Sequence, residues 1–266
     1  MLDNSLRRSL KERLLQNVFV RRSHLFSFRK VIETRIIYEW LDLQEEGNVL
    51  DVASGLGYHC CEIAKDGCDV YGLDINRENT RLSKKITAKL VHKPQYVTGN
   101  AETLPFKNHI LNKVICVCAL EHIEDDVQAL REINRVLKSN GVLVLTVESW
   151  TGKVNSRLKP IAADYYDVKH FYSLPLITQL LNRAGFKVVG SRFFLNSPIS
   201  RVFHEIELEL HHYSLLKRLR LGLILGFLFF PLTYVLGTIS DHFWGNPKAG
   251  YELGVRAIKY KSAIDQ

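Results

Sequence analysis

No Cys-x-x-Cys pair occurs anywhere in this chain of 266 residues. Its five cysteines, Cys60, Cys61, Cys68, Cys116 and Cys118, have neither the spacing of a zinc site nor that of a disulfide framework. Buried free thiols in a reducing compartment fit this usage better. No secretory signal peptide is visible, because the first long apolar run comes far too late. The Arg-rich start resembles a mitochondrial presequence, but Asp3 and Glu12 count against that. There is no internal repeat, no low-complexity linker, no P-loop and no serine-hydrolase elbow. An aromatic-basic stacking platform is also lacking, so the sequence gives no reason to expect nucleic acid as a partner.

What is present is ordinary globular material, 46% apolar and 24% charged. The length suffices for one sizeable core with extensions. The formal net charge of +8 is unevenly spread. Residues 1–30 hold eight basic side chains against two acidic ones and carry +6 of it. Such an arm can be a solvated helical extension, or it can meet an anionic membrane surface.

Residues 49–57, Val-Leu-Asp-Val-Ala-Ser-Gly-Leu-Gly, read as a strand, a tight turn and the start of a helix at Tyr58. An α/β sheet binds nucleotide-like ligands at such a place, and glycine lets backbone approach the ligand closely. Before this turn, Leu2–Val20 and Phe28–Leu43 read as helices, the second with Phe28, Ile32, Ile36 and Trp40 at i+4 spacing. After it, strands and helices alternate. Strands are expected at Asn48–Ala53, Asp69–Asp74, Gln95–Thr98, Lys113–Cys118, Val142–Val147 and Phe186–Leu195. Helices are expected at Tyr58–Lys65, Arg77–Val91, Asp125–Lys138 (stopped by Asn140-Gly141) and Leu174–Arg183. Continuous apolar strands between helices imply a mostly parallel sheet covered on both faces. The rhythm then breaks at a helix-like stretch, Arg201–Arg218, and at Leu221–Ile239, 19 residues without a charge. Tyr251–Tyr260 returns to strand character.

Strand two ends at Asp74, whose carboxylate can accept both ribose hydroxyls of an adenosine. Cys60 replaces the third glycine of a dinucleotide fingerprint. Gly99-Asn-Ala-Glu-Thr-Leu-Pro-Phe106 follows strand three. Ala119-Leu-Glu-His-Ile-Glu-Asp125 and Ala129-Leu-Arg-Glu-Ile-Asn-Arg-Val-Leu-Lys138 follow strand four. With these four motifs in order, the stretch from Phe28 to Leu195, plus the last strand, resembles the class I S-adenosylmethionine (SAM)-dependent methyltransferases. Within them it resembles the type 11 group, which includes ubiquinone and menaquinone biosynthesis enzymes.

The resemblance implies a three-layer, Rossmann-like α/β fold. Its seven-stranded sheet is mostly parallel, with the last strand antiparallel between strands five and six. N-terminal helices precede the sheet, and a hydrophobic helical insertion separates strands six and seven. The implied organisation is a basic extension (1–45), a SAM-binding core (46–195), the insertion (196–247) and the returning strand with its tail (248–266). With SAM as cofactor, Asp51 and the turn residues Ala53, Ser54, Gly55 and Gly57 would hold the methionine end. Asp74 would hold the ribose, Ile75 would pack on the adenine, Asn100 and Ala101 would meet its edge, and Leu120 would line the sulfonium side. Ala53 stands where a glycine is usual, which is tolerable if its φ stays negative. Asn100 stands where Asp is usual, and its amide oxygen can still accept a hydrogen bond.

Methyl transfer from a sulfonium needs a positioned nucleophile and, for some acceptors, a base. The candidate bases are Glu121, His122 and His170, where strand-end loops converge. Asp164, Tyr165 and Tyr166 share the long loop after strand five. His122 can equally be a helix-start residue satisfied by backbone, and Ser173, near His170, reads as a plain N-cap. His204, His211 and His212 are read as parts of a solvated helix, and no metal is expected.

If the last strand rejoins the sheet, both ends of the apolar run lie on one side of a bilayer, so a single crossing is excluded. Pro231 divides the run into pieces of about 15 Å each as helix, half of a bilayer. A shallow hairpin or in-plane pair on a membrane fits, with Lys217, Arg218 and Arg220 meeting anionic headgroups. A homodimer interface or a cap over the site is the other reading. The expected location is cytoplasmic, peripheral or monotopic on the inner face of a membrane. The expected acceptor is an amphiphile: a prenylated quinone, a lipid or a lipid-linked glycan.

Overall fold

The apolar runs between the helices pair into one sheet. The computed structural model describes residues 28–43, 47–212 and 235–260. Its strands are β1 (Asn48–Val52), β2 (Asp69–Asp74), β3 (Gln95–Thr98), β4 (Leu111–Val117), β5 (Leu137–Glu148), β6 (Phe186–Phe194) and β7 (Glu252–Lys259). Their order is β3-β2-β1-β4-β5-β7-β6. The pairs among β1 to β5 are parallel, and β7 is antiparallel to both β5 and β6. The expected seven-stranded Rossmann-like arrangement, with the last strand between strands five and six, is what the chain adopts.

Helices cover both faces, as a parallel sheet requires. α1 (Phe28–Leu41) and α2 (Tyr58–Ala64) lie on one side, where Ile37, Leu41, Cys60 and Ile63 pack against Val49, Val70, Ile115 and Val144. The other side is covered by α4 (Asp126–Val136) and α6 (Leu174–Arg183), whose Leu130, Ile133, Ile177 and Leu181 join Leu50, Val114, Leu143 and Val255. α3 (Arg77–Thr87) flanks β2 and β3, and α5 (Lys159–Tyr166) follows a 3-10 turn at Ser156–Leu158. A third cluster, with Trp150, Leu158, Ala162, Leu208 and Tyr251, fixes the insertion to the carboxyl end of the sheet.

The insertion leaves β6 at Phe194 and returns at Glu252, which are register partners. It therefore sits at the end where β5 also terminates, since Glu148 pairs with Glu252. Its described parts are α7 (Pro198–His212) and a helix over residues 235–244, here α8. Asp241, on α8, fastens the two together, accepting the Ser200 hydroxyl of α7 and the backbone N–H groups of Leu195 and Ser197 just before it. The expected helix at Leu2–Val20, the basic arm up to residue 27, Lys217, Arg218, Arg220 and most of the apolar run lie outside the described residues. Among the described residues no helix is long and apolar enough to cross a membrane.

Several boundaries differ from expectation. α3 ends at Thr87 and not at Val91. α4 ends at Val136, and β5 already begins at Leu137, so Asn140-Gly141 lies within the strand and not at a helix stop. The helix end is fixed from outside: Lys259 Nζ, on β7, donates to the carbonyls of Asn134 (2.6 Å) and Leu137 (2.8 Å). A cation there also complements the helix dipole. The segment expected as a long loop after strand five is largely helical, because Asp164, Tyr165 and Tyr166 belong to α5. α1 buries more than its i+4 stripe suggested: Arg29 and Glu33 go inside together with Ile36, Ile37 and Leu41.

Candidate active site

The turn after β1 curls through alternating signs of φ. Ala53 (58°), Gly55 (54°) and Gly57 (78°) are positive, and the residues between them are not. The condition placed on Ala53 is thus not met: this alanine holds the left-handed conformation that L-residues avoid. The neighbouring bonds keep it there, since Ser54 N–H donates to Leu73 O and Gly57 N–H to Ser54 O, both at 2.9 Å. The two glycines serve different ends. A Cβ on Gly55 would meet nothing within 4 Å, so the space beside it is open. A Cβ on Gly57 would sit 2.2 Å from the Tyr96 hydroxyl. Gly57 is therefore needed for close packing on β3.

Asp74 ties the end of β2 to this turn. Its Oδ2 accepts Gly55 N–H at 2.8 Å, and its Oδ1 accepts Asn76 N–H at 2.8 Å. Asn76 in turn caps α3. Ile75, next to Asp74, is 73% exposed, an apolar side chain standing free at the strand end. Asp51 is buried one strand away, and its one weak donor is Cys60 Sγ at 3.4 Å. Burial, with the charge of Asp74, pushes its carboxyl up to about 7. Asn100 caps the 3-10 turn Ala101–Thr103, its Oδ1 accepting Glu102 N–H at 3.0 Å. Ala101 beneath it is buried.

This second turn is anchored by α4. Glu132 Oε2 accepts Leu104 N–H (2.8 Å), and Arg135 donates to the carbonyls of Leu104 and Phe106. The Arg-Glu-Ile-Asn-Arg motif is thus a strut that holds the loop bearing Asn100. The set suits SAM. Asp51 is a buried carboxyl with no cationic neighbour among the described residues, a place that a ligand ammonium can take. Ser54 Oγ is buried without a hydrogen-bond partner among the described residues, Gly55 opens onto free space, and Ile75 offers an apolar face to a flat ring.

The candidate bases do come together. Glu121 and His122 lie on a 3-10 turn, Leu120–His122, just past β4. The segment after α5 folds onto it, with Lys169 N–H and His170 N–H donating to Glu121 O at 2.8 and 3.2 Å. His122 Nδ1 is 2.9 Å from Asp167 O, an acceptor only. The proton is thus assigned to Nδ1, and Nε2 is left as the basic nitrogen. Among the described residues, His170 Nε2 and both Glu121 carboxyl oxygens are buried without a hydrogen-bond partner. Burial, reinforced by Glu148, raises the Glu121 carboxyl to about 8. Tyr172 braces the turn from below, its hydroxyl donating to Asp126 Oδ2 at 2.7 Å. Ser173 is the N-cap that its sequence suggested, accepting Leu176 N–H.

Sequence reasoning missed the polar cluster beside these groups. Arg29 reaches Glu148 at 2.9 Å and Glu252 at 2.6 Å, and Lys30 reaches Glu33 at 2.7 Å. Cys118 Sγ lies 2.7 Å from Glu33 Oε1 and 3.1 Å from Arg29 Nη2. The available signal was that the apolar runs Val142–Val147 and Leu253–Val255 each abut a glutamate, Glu148 on β5 and Glu252 on β7. His204 was also misjudged. It is buried, not solvated, with its ring between Tyr251 and Trp150 (centroids 4.7 and 6.4 Å). Burial pushes it down to about 3, so it stays neutral. The side chains of His211 and His212 are not among the described ones. All five cysteines are free, and Cys60, Cys68 and Cys116 are buried.

The fold and this turn define a Rossmann-like methyltransferase architecture, and comparison with known proteins agrees. A methyltransferase-domain family model matches residues 50–145. An uncharacterised protein of Methanocaldococcus jannaschii is 31% identical over 205 residues, covering 67% of this chain and 76% of that protein. A ubiquinone/menaquinone biosynthesis C-methyltransferase of Francisella tularensis subsp. novicida is 30% identical over 141 residues, 51% of this chain and 54% of that enzyme. The chain thus matches only about half the length of the quinone enzyme. A putative sarcosine dimethylglycine methyltransferase of Galdieria sulphuraria shares the fold, with a TM-score of 0.61 at 17% identity, covering 85% of this chain and 83% of that one. The chain belongs to the class I SAM-dependent methyltransferases, in their type 11 group.

Proposed function

We propose that this methyltransferase acts at a membrane surface on an amphiphilic or lipid-linked acceptor. Supporting this is the exposed apolar face of the insertion. On α8, Val235, Ile239, Phe243 (69% exposed) and Trp244 (64% exposed) face outward, as do Val202 and Ile206 on α7. α8 continues directly from the uncharged run that begins at Leu221. Apolar helices ending in exposed aromatics settle at the boundary between headgroups and acyl chains. The insertion springs from the end of the sheet that carries Glu121 and the cofactor turn, so an acceptor lying in the surface needs only a short reach.

In this reading residues 46–195 and 248–266 are the SAM-binding core, and 196–247 are the membrane-facing insertion. SAM supplies an already activated methyl group. Asp51, Ala53, Ser54, Gly55 and Gly57 would hold its methionine end, Asp74 the ribose, Ile75, Asn100 and Ala101 the adenine, and Leu120 would line the sulfonium. Glu121, His122 and His170 would supply the proton acceptors. The quinone methylation named for the Francisella relative is one acceptor chemistry of this class.

Co-sedimentation of the full-length protein with anionic phospholipid vesicles tests the membrane part. Binding that is lost when residues 221–239 are deleted, with calorimetric SAM binding retained, is the expected result. A full-length protein that stays in the supernatant sinks the proposal.

A further inference from the structure

Four fully or almost fully buried carboxyl groups meet where β4 and β5 end and β7 begins: Glu33 from α1, Glu121 from the turn after β4, Glu148 and Glu252. Two described cationic side chains enter this space. Arg29 holds Glu148 and Glu252, and Lys30 holds Glu33. Glu121 is left over: it has no solvent exposure, and among the described residues neither of its carboxyl oxygens has a hydrogen-bond partner. Burying an unmatched carboxyl costs several kcal/mol, so the position calls for a partner that arrives from outside. It adjoins Leu120, the residue assigned to the sulfonium side. β5, which carries Glu148, is only about 4.8 Å further along the sheet than β4.

A metal ion is a poor match. Glu33, Cys118 and Glu252 offer donor atoms within 4.8 Å of one another. However, Lys30 and Arg29 already bind those carboxylates, and Arg29 also donates to Cys118 Sγ. Two resident cations would repel a third. A phenol is disfavoured too, because its nucleophilic form is an anion among carboxyl groups. An ammonium has the opposite sign, and its donors fit oxygens that lack them.

We propose that the methyl acceptor is an aliphatic amine, received as its ammonium by Glu121. This rests on the amphiphile reading above and names the reacting end of that amphiphile. The ammonium gives one proton to a Glu121 carboxylate oxygen. The freed nitrogen lone pair then forms the N–CH3 bond as the methyl–sulfur bond breaks, its electron pair returning to sulfur to leave a neutral thioether. The product departs as the N-methylammonium, and the Glu121 proton goes to water. Lys30, a quarter exposed, marks the solvent edge of the cluster. The titratable and charged groups around Glu121 are Glu148 on β5, Arg29 and Glu33 on α1, Glu252 on β7, Cys116 on β4 and Tyr172 before α6. Burial and Glu148 bring its proton affinity toward that of an amine, which makes the exchange nearly balanced.

The test uses the full-length protein, methyl-tritiated SAM, and organic and aqueous extracts of the source cells. Half of each extract is first acylated with N-hydroxysuccinimidyl acetate and then treated with hydroxylamine to reverse esters, which blocks amines alone. The expected result is label in the organic extract, reduced at least tenfold by acylation. Equal labelling of acylated and untreated extract overturns the amine. Label confined to the aqueous extract overturns the lipid reading, while the acylation arm still decides the amine. No label in any extract, with SAM binding intact, overturns both. The variant Glu121→Gln should keep its melting temperature and SAM affinity, lose on the order of a hundredfold in kcat and lose the rise in rate through about pH 8. An unchanged kcat removes Glu121 from the proposal.

Discussion

Glu148 and Glu252 stand directly opposite one another in the antiparallel register of β5 and β7, and Arg29 bridges them. Like charges facing each other across a ladder are destabilising, and here both are buried. The guanidinium makes the arrangement tolerable and fastens α1 to the carboxyl end of the sheet at the same time. Glu252 nevertheless stays well above the usual carboxylate range, because burial and the neighbouring Glu148, Glu33 and Glu121 outweigh Arg29.

Replacing Arg29 should therefore unfold more than a surface contact. Arg29→Met is expected to cost about 3–5 kcal/mol, the range for breaking one side of a buried ion pair. The loss should be greater at pH 8 than at pH 5, where protonation relieves the orphaned carboxyls. Urea titration at the two pH values measures both effects. A loss under about 1 kcal/mol at pH 8 would show that the bridge is not what holds α1.

The two glycines of the cofactor turn should behave differently. Gly57→Ala forces a methyl into the Tyr96 ring and strains a positive φ, so it should lower the melting temperature strongly. Gly55→Ala meets only the strain, about 1 kcal/mol, but fills the open side of the turn. It should weaken SAM binding at least tenfold with little loss of stability. Ala53→Gly should do the reverse, relieving a strained alanine and stabilising the apo protein by about 1 kcal/mol. Differential scanning calorimetry with and without SAM separates the three.

How far the sequence carried the reading depends on what each residue announces locally. Asp74, Gly55 and Asn100 belong to short motifs tied to strand ends, so their grouping was legible from the order of the motifs and the family resemblance they carry. Glu121 and His170 were legible as candidates because strand-end loops must converge. Ala53 was not, since its left-handed φ is imposed by the bonds that its neighbour Ser54 makes to Leu73 and Gly57, which no local propensity contains. Nor was the end of α4, which is held by a lysine 120-odd residues later on β7. The Arg29 cluster joins four segments distant in sequence, and charged residues on a helix read as a solvent face until their partners are known. His204 was misread for the same reason: its helix is rich in acids, but its ring is enclosed by Trp150 and Tyr251.

Asp51 offers a pH test. Its carboxyl is raised, first by burial and then by Asp74, to about 7. The folded apo protein thus keeps a proton that the unfolded chain loses near pH 4. The stabilisation this provides is complete below that value and is lost as pH rises through about 7. A ligand ammonium beside Asp51 favours the ionised form, so binding should release a proton. Calorimetric SAM titrations at pH 6.5 in buffers of different ionisation enthalpy should give enthalpies that differ in proportion. Asp51→Asn should remove the buffer dependence, bind SAM at least tenfold more weakly and make the fall of apo stability between pH 5 and 8 shallower, with Glu121 and Glu252 supplying what remains. A wild-type enthalpy independent of buffer would leave Asp51 without this role.

Phe243 and Trp244 are the sharpest probes of the apolar face, because both are more than three-fifths exposed and neither joins a described core cluster. Burying one such aromatic in a bilayer interface is worth roughly 2 kcal/mol at 25 cal/mol per Å2. Phe243→Ser and Trp244→Ser should each lower partitioning onto phospholipid vesicles by roughly tenfold or more, and the double variant should lower it by the product. Melting temperature and SAM affinity should not move, since Asp241 and not these rings fastens α8 to α7. Vesicle flotation across a salt series supplies the readout. The loss should persist at high salt, where a basic arm acting alone would already have let go. Equal flotation of wild type and double variant at high salt would assign any membrane contact to other parts of the chain.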